Sequence, residues 1–188
     1  MSAETAATAD REPRHAGTTL DVVRFEAGRR VRVRVVVAAA LSLFAATFVW
    51  IGPSVTASGE IDQLTEALPP LFRSLLGFET MGSLAGLLAG EFYTFAWLVG
   101  LGGYLAYSAA GSVAGDLRSD RMDTVLAAPV SRTSVLLGKY LALLVPIAVA
   151  NVAVPVVLYA GSRLVDAPLP AADLLAVHAL SVPYLLCW

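Results

Sequence analysis

The sequence predicts an all-α, polytopic membrane protein with about four spanning helices, the fourth of them incomplete. Three observations carry that prediction. Apolar residues make up 57% of the 188 residues and charged ones only 15%, and the mean hydropathy is +0.70; soluble domains carry about 25% charged residues. Apolar runs long enough to cross or nearly cross a bilayer recur at about 35–55, 91–114, 135–160 and 174–188. Five arginines, Arg24, Arg29, Arg30, Arg32 and Arg34, crowd the approach to the first run. By the positive-inside rule they put the N-terminus in the cytoplasm and the loop 56–90 outside.

Residues 1–19 are polar, lack apolar periodicity and are read as a disordered cytoplasmic tail. From Leu20 to Arg34 the chain is basic. Leu20, Val23, Ala27 and Val31 fall at helical spacing, although VRVRVRV alone alternates like a strand. A helix is favoured, because the segment runs straight into a span and an open strand edge cannot enter lipid. Arg29, Arg30, Arg32 and Arg34 read both as a positive-inside anchor and as part of a helix lying along the membrane surface. The first span has about 20 apolar residues, hence about 30 Å of helix. The acidic loop 56–90 carries Leu64, Leu68, Leu71 and Leu75 at helical spacing, interrupted by Pro69-Pro70. It predicts one or two short helices on the outer face. Gly82, Gly86 and Gly90 form a double G-x-x-x-G, a spacing that permits close helix contact and also arises by chance in Gly-rich apolar sequence.

The second span, 91–114, opens on Glu91, read as an interfacial carboxylate with a buried functional acid as the alternative. Tyr104 and Tyr107 are candidates for lining a pathway or for helix packing, and Ser108, Gly111, Ser112 and Gly115 form a small-residue stripe. The third span holds Pro146, Asn151 and Pro155; Asn151 is expected to hydrogen-bond across helices, with a pathway role as the alternative. In the fourth, His178 is read as a packed or paired polar side chain, since no His, Asp or Glu stands at i+3 or i+4 to share a metal.

Several classes are excluded. A lone Cys187 supplies neither a disulfide framework nor a cysteine metal cluster within one chain. Gly138-Lys139 resembles the tail of a phosphate-binding loop, but Thr133 stands where its leading glycine belongs and Tyr140 replaces the Ser or Thr. There is no H-E-x-x-H and no G-x-S-x-G. The chain is therefore expected to be no enzyme, to need no cofactor or metal, and, its arginines being explained by topology, to bind no nucleic acid.

The most informative stretch is GDLRSDRMDTVLAAPVSRTSVLLGK, residues 115–139. It reads as two short amphipathic helical pieces broken at Pro129, with Ser131 or Thr133 placed to cap the second. A bare connector needs no such patterning, whereas a docking surface does. The stretch resembles the first cytoplasmic loop of ABC-2 type transporter permeases, in which D-x-x-L, P-V-S-R and V-L-x-x-K recur. Asp123, Leu126, Pro129, Val130, Ser131, Arg132, Val135, Leu136 and Lys139 occupy the matching places.

The resemblance implies a transmembrane permease subunit of an ATP-binding-cassette exporter in the cell membrane. Its partners would be cytoplasmic ABC-type ATPase subunits, a second permease subunit (the same or different) and the lipid bilayer. The loop 115–134 would then hold the coupling helix. Asp116, Arg118, Asp120, Arg121 and Asp123 would make polar contacts with the ATPase. Leu126 and Val130 would pack, Pro129 would set the bend, and Arg132 would tie the loop to nearby carboxylates or helix ends. The basic segment before the first span would be the elbow helix. Such permeases have six spans, so a fourth run of 15 residues, about 23 Å, is expected to be a truncated span. Two other classes stay open: a non-transporting membrane scaffold whose loop is a solvated turn, and a secondary transporter, which would need paired intramembrane charges or inverted repeats.

Overall fold

A computed structural model describes residues 18–76, 82–118 and 130–187, and among these no strand occurs. Helix α1 (Thr19–Arg29) starts at a capping box. The Thr18 hydroxyl accepts from the Asp21 N–H at 3.4 Å, and the Asp21 carboxylate accepts from the Thr18 N–H at 2.8 Å. That backbone bond, helped by the Thr18 hydroxyl, holds the Asp21 carboxyl below the usual carboxylate range. A lowered folded-state value means the cap is complete above the ordinary carboxylate pKa and is lost as pH falls through the lowered one. Acid is therefore expected to fray the start of α1, seen as faster amide exchange there, and Asp21→Asn should remove that pH dependence.

Helix α2 (Val31–Ala57) follows after a break at Arg30. The break is stabilised from α2 itself. The buried Arg34 guanidinium turns back and donates to the carbonyls of Ala27 at 2.5 Å and Glu26 at 3.1 Å, open acceptors at the end of α1. The alternating VRVRVRV is thus helical, with one arginine spent on a helix end.

Along α2 the buried positions are Ala38, Leu41, Ala45, Val49 and Gly52, steps of three and four residues. Helix α8 (Leu144–Leu164) buries Ile147, Ala150, Val154 and Leu158 at the same steps. These seams form the most extensive helix pair in the fold. Lipid tails are as apolar as leucine, so such a pair is held by close packing rather than by water exclusion. A small residue makes that possible: a Cβ on Gly161 would lie 3.1 Å from Val49 of α2. Leu43, Trp50, Val152 and Val156 point outward from the same helices, as lipid-facing residues do.

The predicted short helices are α3 (Glu60–Ala67) and α4 (Pro70–Leu76). Leu68, held extended ahead of Pro69, separates them. The second span combines α5 (Leu84–Leu87), a π-helical stretch (Leu88–Leu101) and α6 (Gly102–Arg118). The π stretch buries Leu88, Phe92, Trp97 and Leu101, steps of four and five that a 3.6-residue repeat does not produce. Gly86, one of the G-x-x-x-G glycines, is buried inside the chain itself.

The third span is α7 (Arg132–Leu141) joined to α8 by a turn at Ala142 and Leu143. Of the two candidate caps, Ser131 is the one used: its hydroxyl accepts from the Ser134 N–H at 3.0 Å. The turn has a plain cause. Pro146 has no N–H for the Ala142 carbonyl, which takes a bond from Val145 at 3.3 Å instead, and α8 restarts with the proline in its first turn. Helix α9 (Ala171–Leu185) lies against α8. His178 on α9 is buried as a packed residue, its ring 4.8 Å from Trp97 and 5.6 Å from Tyr93.

Among the described residues, three helical stretches are long and apolar enough to cross a membrane, Val31–Ala57, Leu84–Asp116 and Arg132–Leu164, with Ala171–Leu185 shorter. The all-α polytopic prediction is thereby met. The tail up to residue 17 and the loop 119–129 lie outside the described residues, including the expected first amphipathic piece of that loop.

Candidate functional site

Both roots of the loop 119–129 end in one buried ionic ring. Asp116 closes α6, Lys139 sits two turns into α7, and Glu26 and Arg29 come from α1. Lys139 Nζ lies 2.5 Å from Asp116 Oδ2 and 2.8 Å from Glu26 Oε1. Arg29 Nη1 lies 3.1 Å from Asp116 Oδ1 and 3.6 Å from Glu26 Oε1. Each cation therefore touches both anions, and the four formal charges cancel. The Asp116 side chain is 2% exposed and that of Lys139 6%, so water does little of the solvating.

Lys139 is the only lysine in a chain with twelve arginines. Its geometry explains the choice. An ammonium has three donors in three directions, and here they go to Glu26 on α1, Asp116 at the end of α6, and the Ser112 carbonyl of α6 at 3.0 Å. A planar guanidinium fork would not reach all three. The neighbouring Gly138 completes the junction. A Cβ there would stand 2.6 Å from the Cβ and Cγ1 of Val22 and 3.2 Å from the Thr19 carbonyl, so α1 and α7 meet backbone to side chain. Gly138→Val is expected to push α1 off α7 and cost about 1–3 kcal/mol, read as a lowered unfolding temperature in detergent and as new protease cleavage before residue 30.

Asp116, expected to contact a partner directly, is instead turned inward and held by Lys139 and Arg29. Arg118 is exposed at the end of α6. Val130 is half-buried, and Arg132 is exposed at the first position of α7. Among the described residues no carboxylate pairs with Arg132, and the neighbouring loop acids to which the expected tie could run lie outside those residues. Asp120, Arg121, Asp123, Leu126 and Pro129 lie outside the described residues.

The other candidates divide. Glu91 is half-buried in the first turn of the π stretch. Asn151 Nδ2 donates to the Ile147 carbonyl one turn back at 2.9 Å, and its buried Oδ1 has no hydrogen-bond partner among the described residues. Tyr104 and Tyr107 come together with Arg118 along one cavity, which Arg30 also lines. Among the described residues no group of three or more His, Cys, Asp or Glu converges as a metal site.

Sequence reasoning read Lys139 as a matching place in a pattern and Arg29 as an anchor on a surface helix, and paired neither with Glu26 or Asp116. The available signal was the lone lysine itself, a departure from the chain's own usage at one position beside a glycine.

The ring thus joins α1 to the two ends of the loop 119–129. Residues 20–188, from α1 to the end of the chain, match the family described as ABC-2 family transporter protein. The chain belongs to the ABC-2 transporter family. No curated protein and no solved structure matches it. As an ABC-2 chain it is a permease component of an ABC transporter, a multi-pass membrane protein whose family associates with ABC ATPases. The resemblance read from the loop is confirmed, and the matched region takes in the ring as well as the spans.

Proposed function

We propose that this ABC-2 chain is the transmembrane permease subunit of an exporter, and that the loop 115–134 docks on a cytoplasmic ATPase and passes its closure to the spans. The N-terminus is cytoplasmic in this reading, and a second permease subunit, the same or different, completes the pathway. The observation that carries it is the ionic ring. A docking loop transmits force only if its roots are stiff, and both roots here are fixed to each other and to α1 within 3.1 Å. Closure of the ATPase pair would then move α1, the end of α6 and α7 together and bias the bundle between two states.

Arg132 supports the same reading. A cation at the first turn of a helix faces the positive end of the helix dipole, which costs a few tenths of a kcal/mol. Its exposure gives it no compensating partner within the described chain. A partner carboxylate would supply one.

Arg132→Glu tests this cleanly, because glutamate at a helix start favours α7 rather than unravelling it. Membrane insertion and unfolding temperature should be unchanged. Docking should weaken by about 2 kcal/mol or more, so that ATP hydrolysis by the co-expressed ATPase no longer responds to transport substrate. Unchanged coupling in this variant would remove Arg132, and the exposed root of the loop with it, from the mechanism.

A further inference from the structure

Beside the ionic ring, on the other side of α6, lies a cavity of about 550 Å³ between the start of α2 and the second half of α6. Its charged lining is Arg30 from one side and Arg118 from the other. Among the described residues neither arginine has a carboxylate partner. The contrast with the ring is sharp, since there two cations meet two carboxylates and the charges cancel. Here two cations line one cavity and, among the described residues, no acid lines it with them.

The floor of the cavity is small by construction. Gly111 faces Arg30, whose Nη1 would stand 4.0 Å from a Cβ at that position, and nothing comes within 4 Å of a Cβ on Gly115. Two further oxygens stand in the lining, those of Ser108 and Tyr104. The Tyr104 hydroxyl is buried beside Arg34 and makes no hydrogen bond of good geometry. One side is open: Tyr107 is 79% exposed on the outward face of α6, next to apolar Val33.

Guanidinium pairs flanked by hydroxyls bind phosphate oxygens through charge-assisted bonds. The site also lies where the apolar spans give way to the charged junction, the depth of a lipid headgroup. A ligand there meets basic groups at one end and an apolar, laterally open wall at the other. We propose that this cavity binds an anionic phospholipid, with its headgroup phosphate between Arg30 and Arg118 and its acyl chains along Val33 and Tyr107. Basic pockets between spanning helices take anionic headgroups for this reason.

The test reconstitutes the intact chain in phosphatidylcholine vesicles with and without phosphatidylglycerol, then extracts it gently and weighs the lipid that stays bound by native mass spectrometry. Wild type should retain phosphatidylglycerol in preference to phosphatidylcholine. Arg30→Gln with Arg118→Gln should lower that affinity roughly thirtyfold, from about one surface-charge contribution per arginine. Gly111→Leu fills the cavity beside Arg30 while removing neither charge and should also expel the lipid, so the proposal remains testable if the double variant fails to fold. Arg163→Gln, which removes an arginine at the far end of α8, should change nothing. Equal retention by the double variant, or an equal loss in Arg163→Gln, would overturn the proposal. So would displacement of the lipid by millimolar glycerol phosphate, since the site would then read a free phosphate rather than a lipid.

Discussion

Lys139→Ala is expected to be the most damaging single substitution at the charged end of the bundle. It leaves Asp116 and Glu26 facing each other with only Arg29 to share, and Asp116 is almost fully enclosed. Removing one partner of a buried ion network typically costs about 3–5 kcal/mol, because the remaining charge stays buried without compensation. The expected signs are a large fall in unfolding temperature and detachment of α1, visible as protease access near Gly28. Lys139→Met combined with Asp116→Asn should behave differently. It removes one charge of each sign and leaves Arg29 with Glu26, so most of the stability should return. Coupling should not return, because the link from loop root to α1 stays cut. If single and double variants lose stability equally, the ring is not the structural junction described above.

The second large effect is expected at Trp97. It is buried in the π stretch at the centre of a ring cluster, 6.5 Å from Phe92, 6.2 Å from Tyr93 and 4.8 Å from His178. Deleting a buried indole typically costs about 3–5 kcal/mol, part of it for the cavity left behind. In a membrane the packing share dominates, since lipid solvates apolar groups nearly as well as protein does. Trp97→Ala should therefore loosen α9 from the second span while insertion stays normal. Thermal unfolding and a cysteine crosslink between α9 and the π stretch would both report it. Trp97→Phe, which keeps an aromatic ring against His178, should lose less than half as much.

How much of this was legible in the sequence depends on the range of the interactions concerned. The spans, the two short helices split at Pro69-Pro70 and the Ser131 cap were legible because each depends on residues a few places apart. The turn at Ala142 and Leu143 was partly legible: Pro146 stood out within the span, but which carbonyl it would leave open needed the backbone. The π stretch was hidden, since its buried residues step by four and five and a search for a 3.6-residue repeat passes over them. The direction of the Asn151 amide was not legible, since a carbonyl of its own helix competes with acceptors on the neighbours. The ionic ring was invisible for the opposite reason. Its members are up to 113 residues apart, and each charge alone had an adequate local explanation. Asp116 looked like an outward contact because it borders a polar loop; only the packing of α1 turns it inward.

In the proposed mechanism, the loop between the two roots of the ring is where this ABC-2 permease meets its ATPase. The most direct measurement is gentle purification of the full chain from its own membranes, beside a variant in which only residues 119–129 are exchanged for a Gly/Ser linker of equal length. Asp116 and Lys139 remain in that variant, so the ring and the bundle should persist. Recovery of an ABC ATPase with the intact chain, and its loss from the exchanged chain at unchanged unfolding temperature, is the predicted result. Equal recovery of the ATPase by both chains would contradict the account, because the ring would then be bracing a loop that the partner does not touch.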